Sequence, residues 1–219
     1  MWLCLLSAAV CPAAVTSTYH FLSGLAVPDN NITGLADNRL ITDATGTIQH
    51  LTVSLAITGG WNGDWYAHLV HDTGFAVLLN RIGRTATDTV GSGTSGLNVV
   101  LDDRAAFDIH LGLPATGSLT GTRQPDARTA DPDNVTESSP RRAFLDSFNG
   151  LTPNGQWTLF LADLSPGGTG TLASWSLEVT TIPEPGPALL LLAASILPML
   201  RAGRQRTTTR PPATKGSSW

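Results

Sequence analysis

Four aspartates, Asp64, Asp102, Asp103 and Asp163, stand where apolar alternating runs give way to turns. Carboxylates in such places, joined by backbone carbonyls, supply the six to eight oxygen ligands that Ca2+ takes, so calcium is the cation this set would hold at an end of the fold. An aspartate at a strand end also bonds nearby backbone N–H groups in an Asx-turn, and both roles stay open here. His68 and His71 are three apart, which on a strand points them to opposite faces and separates them as metal ligands. His20, His50 and His110 are isolated in the sequence, as exposed or internally satisfied histidines are. Ser95, in Gly93-Thr94-Ser95, has no His and no acid at a recognisable spacing to activate it, so no catalytic residue is assigned and the chain reads as a non-enzyme. Trp61 and Tyr66 are the candidate ligand-binding aromatics, able to stack on sugar rings. Trp65 between them alternates with Ala67 and Leu69 and belongs to a core.

These residues need a scaffold, and the composition points to strands. Charged residues make up 14% of 219, while Gly numbers 22 and Pro 14, a profile of short strands and many turns. The net charge of −4 carries no nucleic-acid signature. Both cysteines, Cys4 and Cys11, fall inside the apolar stretch Leu3–Ala14, which reads as a signal-peptide core ending in the small residues of Pro12-Ala13-Ala14, although no Lys or Arg precedes it. Its removal would take every thiol with it and exclude disulfides, Cys–Zn sites and a Cys nucleophile.

Alternation begins at Ile48 and is clearest at Leu51, Val53, Leu55 and Ile57, with Thr52, Ser54 and Ala56 on the other face. The Gly/Asn-rich segment 59–64 turns the chain into a strand near Trp65–His71, and Asp72-Thr73-Gly74 turns it into Phe75–Asn80. Further strands are expected over 97–101, Phe107–Leu111, 157–161 and 175–179. The Pro-, Gly- and charge-rich segment Gly112–Arg142 has no period and is either a functional loop or disordered. No helical period intervenes between Thr16 and Thr180, so an all-β sandwich or jelly roll is the expected fold.

Two family resemblances rest on specific runs. Gly63-Asp64, Gly74 leading into Phe75-Ala76-Val77-Leu78-Leu79-Asn80-Arg81, Leu101-Asp102-Asp103 and Phe148-Asn149-Gly150 come first. Asn154-Gly155-Gln156-Trp157-Thr158-Leu159, Ala162-Asp163 and Gly170-Thr171-Leu172-Ala173-Ser174-Trp175-Ser176-Leu177 follow. Together they resemble the P domain (P/Homo B) that accompanies proprotein convertases and kexin-like proteases, and that family implies a β-jelly-roll. Where it commonly has Ser-Pro-x-Gly, this chain has His71-Asp72-Thr73-Gly74. The second resemblance, in Pro183-Glu184-Pro185, the apolar run Gly186–Leu200 and Arg201, Arg204, Arg206 and Arg210, is to the PEP-CTERM sorting signal. A Pro-flanked recognition site, a hydrophobic stop and a cationic far end suit membrane insertion before processing, although the run is short of about 20 residues and Pro198 interrupts it.

The expected organisation is thus a signal peptide at 1–14, a P-domain-like β-sandwich at 16–180 and a sorting signal with membrane helix and Arg-rich tail at 183–219. The expected function is a non-catalytic module exported to a bacterial cell envelope or extracellular matrix, its partners an exosortase-type sorting enzyme, the membrane before processing, and exopolysaccharide. Two alternatives stand beside it: an accessory domain that stabilises or targets a separate subtilisin/kexin-like protease, and a carbohydrate-binding module using Trp61, Tyr66 and the loop Gly112–Arg142.

Overall fold

The computed structural model describes residues 13–183. Most of the predicted leader, and the sorting signal from Glu184 and Pro185 onward, lie outside the described residues. Nine strands form two sheets: β1 (Val15–Val27), β2 (Leu35–Ile41), β3 (Thr47–Trp61), β4 (Trp65–His71), β5 (Gly74–Asn80), β6 (Ser95–Leu101), β7 (Leu119–Arg123), β8 (Gly155–Asp163) and β9 (Gly170–Ile182). One sheet has the order β1-β9-β3-β6-β7 and the other β2-β8-β4-β5. All pairs are antiparallel except β6 and β7. Without β7, the orders 1-9-3-6 and 2-8-4-5 are those of a jelly roll, in which the chain passes back and forth between two facing sheets. Among the described residues no helix is long and apolar enough to cross a membrane.

The period-2 pattern does the folding. Leu51, Val53, Leu55 and Ile57 of β3 point inward with Leu172, Trp175, Leu177 and Val179 of β9, and they meet Trp65, Ala67 and Leu69 of β4 and Trp157, Leu159 and Leu161 of β8. All are buried. The Trp65 ring fits because Gly60 and Gly170 lie against it, where a Cβ at either would strike the ring. Gly60 also carries φ +62, a conformation that side chains other than glycine's rarely adopt.

Two expectations change, and one that the sequence left open is decided. β1 and β2 precede the first expected strand at Ile48; the Ser, Thr and Asn content of β1 and β2 hides their alternation. Phe107–Leu111 is not a strand. Its only pairing is an isolated bridge from Asp108 to Gln124, and the Asp108 carboxylate accepts the His110 N–H at 2.9 Å, so a local Asx-turn displaces the ladder. The segment Gly112–Arg142 holds β7 and an ordered cover over the edge of β5. Asp126 N–H donates to Leu78 O at 3.1 Å, Ala127 N–H to Val77 O at 2.8 Å, and Val77 N–H to Ala143 O at 3.0 Å.

A buried charge network fixes that cover. The Arg128 guanidinium donates to Asp108 Oδ2 at 2.7 Å and to Asp126 Oδ1 at 3.3 Å. Asp126 Oδ2 lies 3.0 Å from His110 Nδ1, and Arg141 donates to Gln124 Oε1 and Pro125 O at 2.8 and 2.7 Å. Covering an edge strand in this way removes a template for unwanted pairing.

Candidate binding faces and the buried carboxylate pair

The four candidate aspartates do not converge. Asp102 accepts Arg104 N–H at 2.8 Å and lies 3.4 Å from His50 Nε2, beside the start of β3. Asp103 accepts the N–H groups of Leu145 and Asp146 at 3.1 and 2.7 Å and so holds the short 3-10 helix Leu145–Phe148. Asp102 thus makes the local Asx bond, while Asp103 bonds backbone donors more than forty residues away in the chain. Asp64 and Asp163 lie beyond the other end of β3, where the chain leaves Trp61 for β4 and β8 reaches its last residue. From His50 to Trp61 the strand takes eleven steps, roughly 35 Å at about 3.3 Å each.

Asp64 and Asp163 are buried beside each other's field, each with an Oδ2 that has no hydrogen-bond partner. Arg81 Nη2 lies 3.7 Å from Asp64 Oδ1, while Asp163 Oδ1 accepts Ser165 N–H at 3.2 Å. Burial pushes the Asp163 carboxyl up to about 6; the Asp64 and Asp29 carboxylates add to the rise, and Ser165 N–H and Arg81 oppose it. Burial raises Asp64 as well, against Arg81. Desolvation in turn lowers Arg81 from its ordinary value, with Arg84 pushing the same way. Among the described residues no three His, Cys, Asp or Glu side chains form a metal-holding cluster, and a guanidinium already stands at the pair. Arg81 thus compensates Asp64 in part, while burial and the field of Asp64 leave Asp163 with its raised pKa.

The aromatic candidates also part. Trp61, 44% exposed, lies over the turn at Gly167 and Gly168. Tyr66 lies elsewhere, on the outer face of the four-stranded sheet, in an aromatic cluster that sequence reasoning missed. His68 stacks on Phe160 with centroids 4.7 Å apart and planes at 15°; Phe75 lies 5.3 Å from His68, and Tyr66 is 5.6 Å from His68 and 6.3 Å from Phe160. The signal was present: Phe160 and His68 sit at outward positions of strands read from the pattern, and the register His68↔Phe160 brings them opposite each other. The outward positions of β2, β8 and β4 are Ala36, Asn38, Leu40, Gln156, Thr158, Phe160, Ala162, Tyr66, His68 and Val70, without a single Asp, Glu, Lys or Arg. Burial lowers the His68 pKa, which keeps the ring neutral, and its Nδ1 has no partner. Asn38 Oδ1 accepts Thr158 Oγ1–H at 2.7 Å and Gln156 Nε2–H at 3.1 Å, lining the rings with amides and a hydroxyl.

The opposite outer face, on the five-stranded sheet, carries a groove of about 490 Å³ with Ser54, Ala56, Ser174 and Ser176 among its lining residues. Ser95 opens β6 opposite Trp61.

No protein-family profile matches the chain. No curated protein matches it either. Among solved structures, the serine protease of Aeromonas sobria in complex with its chaperone is similar over 78% of this chain at 14% identity, with a TM-score of 0.45. The serine protease of Aeromonas sobria alone is similar over 80% at 13% identity, with a TM-score of 0.43. This chain spans 28% of the length of each. At these values neither likeness bears on function.

Proposed function

We propose that this chain is a non-catalytic β-sandwich module, exported to the cell envelope or its surrounding matrix and sorted through its Pro183-Glu184-Pro185 segment, whose task is to hold a neutral polysaccharide. The observation that supports this reading is the uncharged aromatic face of Tyr66, His68 and Phe160. Sugar rings present an apolar C–H face and a hydroxyl edge. Rings such as these stack on the first, while neutral amides and hydroxyls, here Asn38, Gln156 and Thr158, bond the second. A charged polymer would find no counter-charge on those ten outward positions.

The test is native electrophoresis of the purified protein through gels carrying dextran, laminarin, galactomannan or the anionic alginate. Retardation in at least one neutral gel, none in alginate, and loss of retardation in Phe160→Ala is the expected result. Unretarded migration in every gel would overturn the reading.

A second reading, an accessory domain for a subtilisin/kexin-like protease acting in trans, draws support from the jelly-roll strand order, which is the order implied by the P-domain resemblance. Co-purification of such a protease with the native protein would favour it.

A further inference from the structure

The groove on the five-stranded sheet is built by register. Outward residues align across four strands in two rows: His20, Ser176, Ser54 and Val100 in one, and Leu22, Ser174, Ala56 and Asn98 in the other. In each row the two middle positions, on β9 and β3, are Ser or Ala, while the outer positions, on β1 and β6, are larger. Two small residues between two large ones, repeated in the next row, make a trough running along β9 and β3. With strands about 4.8 Å apart, its walls stand roughly 14 Å from each other. None of its ten lining residues is Asp, Glu, Lys or Arg.

We propose that this trough is a second polysaccharide site, so that one molecule grips two neutral chains, one on each outer face, and cross-links them. The inference rests on the proposed polysaccharide function and adds a site and a consequence to it.

Three observations select the occupant. The floor is the face of a sheet whose backbone groups are spent on the ladders to β1, β3 and β6, so an extended peptide cannot add here as a strand. A protein interface engages about 20–30 residues a side, about two to three times what lines the trough. The available chemistry is the hydroxyls of Ser54, Ser174 and Ser176, the Asn98 amide and the His20 ring, with Leu22 86% exposed on one wall. Neutral donors and acceptors beside an apolar wall match a polyhydroxylated chain lying along the strands, and the volume falls within the range of small-ligand clefts. Because the two sheets face each other across one core, their outer faces point in opposite directions. A ligand on each must therefore belong to two different chains or to a loop of one long chain.

The experiment counts sites. Isothermal titration of the full chain with hexasaccharides of dextran, laminarin and galactomannan should give two equivalents for the sugar that binds. Ala56→Phe, which fills the trough floor from an outward position, should give one equivalent, as should Phe160→Ala, and the double variant none. The unmutated protein should precipitate the long polymer, whereas either single variant should bind it without precipitation. Asn98→Ala supports the same comparison without adding bulk and should weaken one of the two sites about tenfold. A single equivalent that Phe160→Ala removes and Ala56→Phe leaves intact would overturn the second site while the first stands. No heat with any hexasaccharide would overturn both.

Discussion

A carboxylate taken out of water needs a counter-charge, a donor or a proton, and the aspartates of this chain divide on which they obtain. Asp37 obtains all it needs: Arg39 Nη2–H donates to it at 2.9 Å, Trp175 Nε1–H at 2.9 Å, and Ser23 donates as well, which ties β1, β2 and β9 together. Although burial alone would raise its pKa, the hydrogen bonds from Arg39, Ser23 and Trp175 hold its carboxyl below the usual value. Asp163 is in the opposite condition, raised from 3.8 to about 6. The folded state therefore binds a proton that the unfolded chain has released between those two values, and stability falls as pH rises through that window. Above it the cost of the buried charge is fully present. Asp163→Asn keeps the acceptor for Ser165 N–H and removes the charge, so it should stabilise the protein at pH 7.5 by about 1–3 kcal/mol. Thermal melts should show a Tm higher by about 2–12 °C at pH 7.5 and coincident Tm values at pH 4. Calcium binding at the pair would reverse the sign, because the substitution would then remove a ligand. Unmutated protein melted in calcium and in chelator is expected to give the same Tm, and a rise of several degrees in calcium would restore the metal reading.

At the scale of elements, small residues decide where strands can approach other parts. Gly74 opens β5 after the two-residue turn Asp72–Thr73, and a Cβ there would lie 2.6 Å from Phe148 Cε1. Phe148 cannot withdraw, since it is buried in the short helix whose N–H groups Asp103 holds. Gly74→Ala should cost about 1–3 kcal/mol by overpacking, whereas Gly93→Ala, with nothing within 4 Å, should stay within about 0.5 kcal/mol. Calorimetry of the two variants checks this, and equal Tm values would refute it. The same elements explain how much of the fold was legible in the sequence. β3, β4, β5, β6, β8 and β9 announce themselves because one face is apolar and the other is not. β1 does not, since Thr16, Ser17, Thr18, His20 and Ser23 leave little contrast between its faces. The cover over β5 is invisible to periodicity because Arg128, Asp108, Asp126 and His110 hold it by long-range hydrogen bonds between residues up to 20 apart. The aromatic face was half legible. Tyr66 stood out as a surface aromatic and His68, two residues on, shares its face by period 2, but Phe160 joins them only through pairing between β4 and β8, which no single run of sequence displays.

Over the whole molecule, the two faces can work together only if the sandwich behaves as one body. Its core is a single cluster in which Leu51, Val53 and Leu55 of one sheet meet Leu69, Leu159 and Trp157 of the other. Neither sheet can bury its apolar face without the other, so the two should unfold together. Leu69, with no exposed surface, lies in the middle of β4 and pairs with both Leu159 and Ala76. Leu69→Ala should remove about 2–5 kcal/mol through lost contact and the cavity left behind. At about 2–4 °C per kcal/mol for a domain of this size, Tm should fall by about 4–20 °C. The informative part is the shape of the change. Circular dichroism in the far ultraviolet follows both sheets, while tryptophan signals in the near ultraviolet report on Trp65 and Trp157 of one sheet and Trp175 of the other. In the full chain the two melts should coincide before the substitution and shift together after it. A variant in which the far-ultraviolet transition splits, with one part left at the original temperature, would mean that each sheet is stable alone, and the rigid two-faced arrangement that cross-linking requires would lose its physical basis.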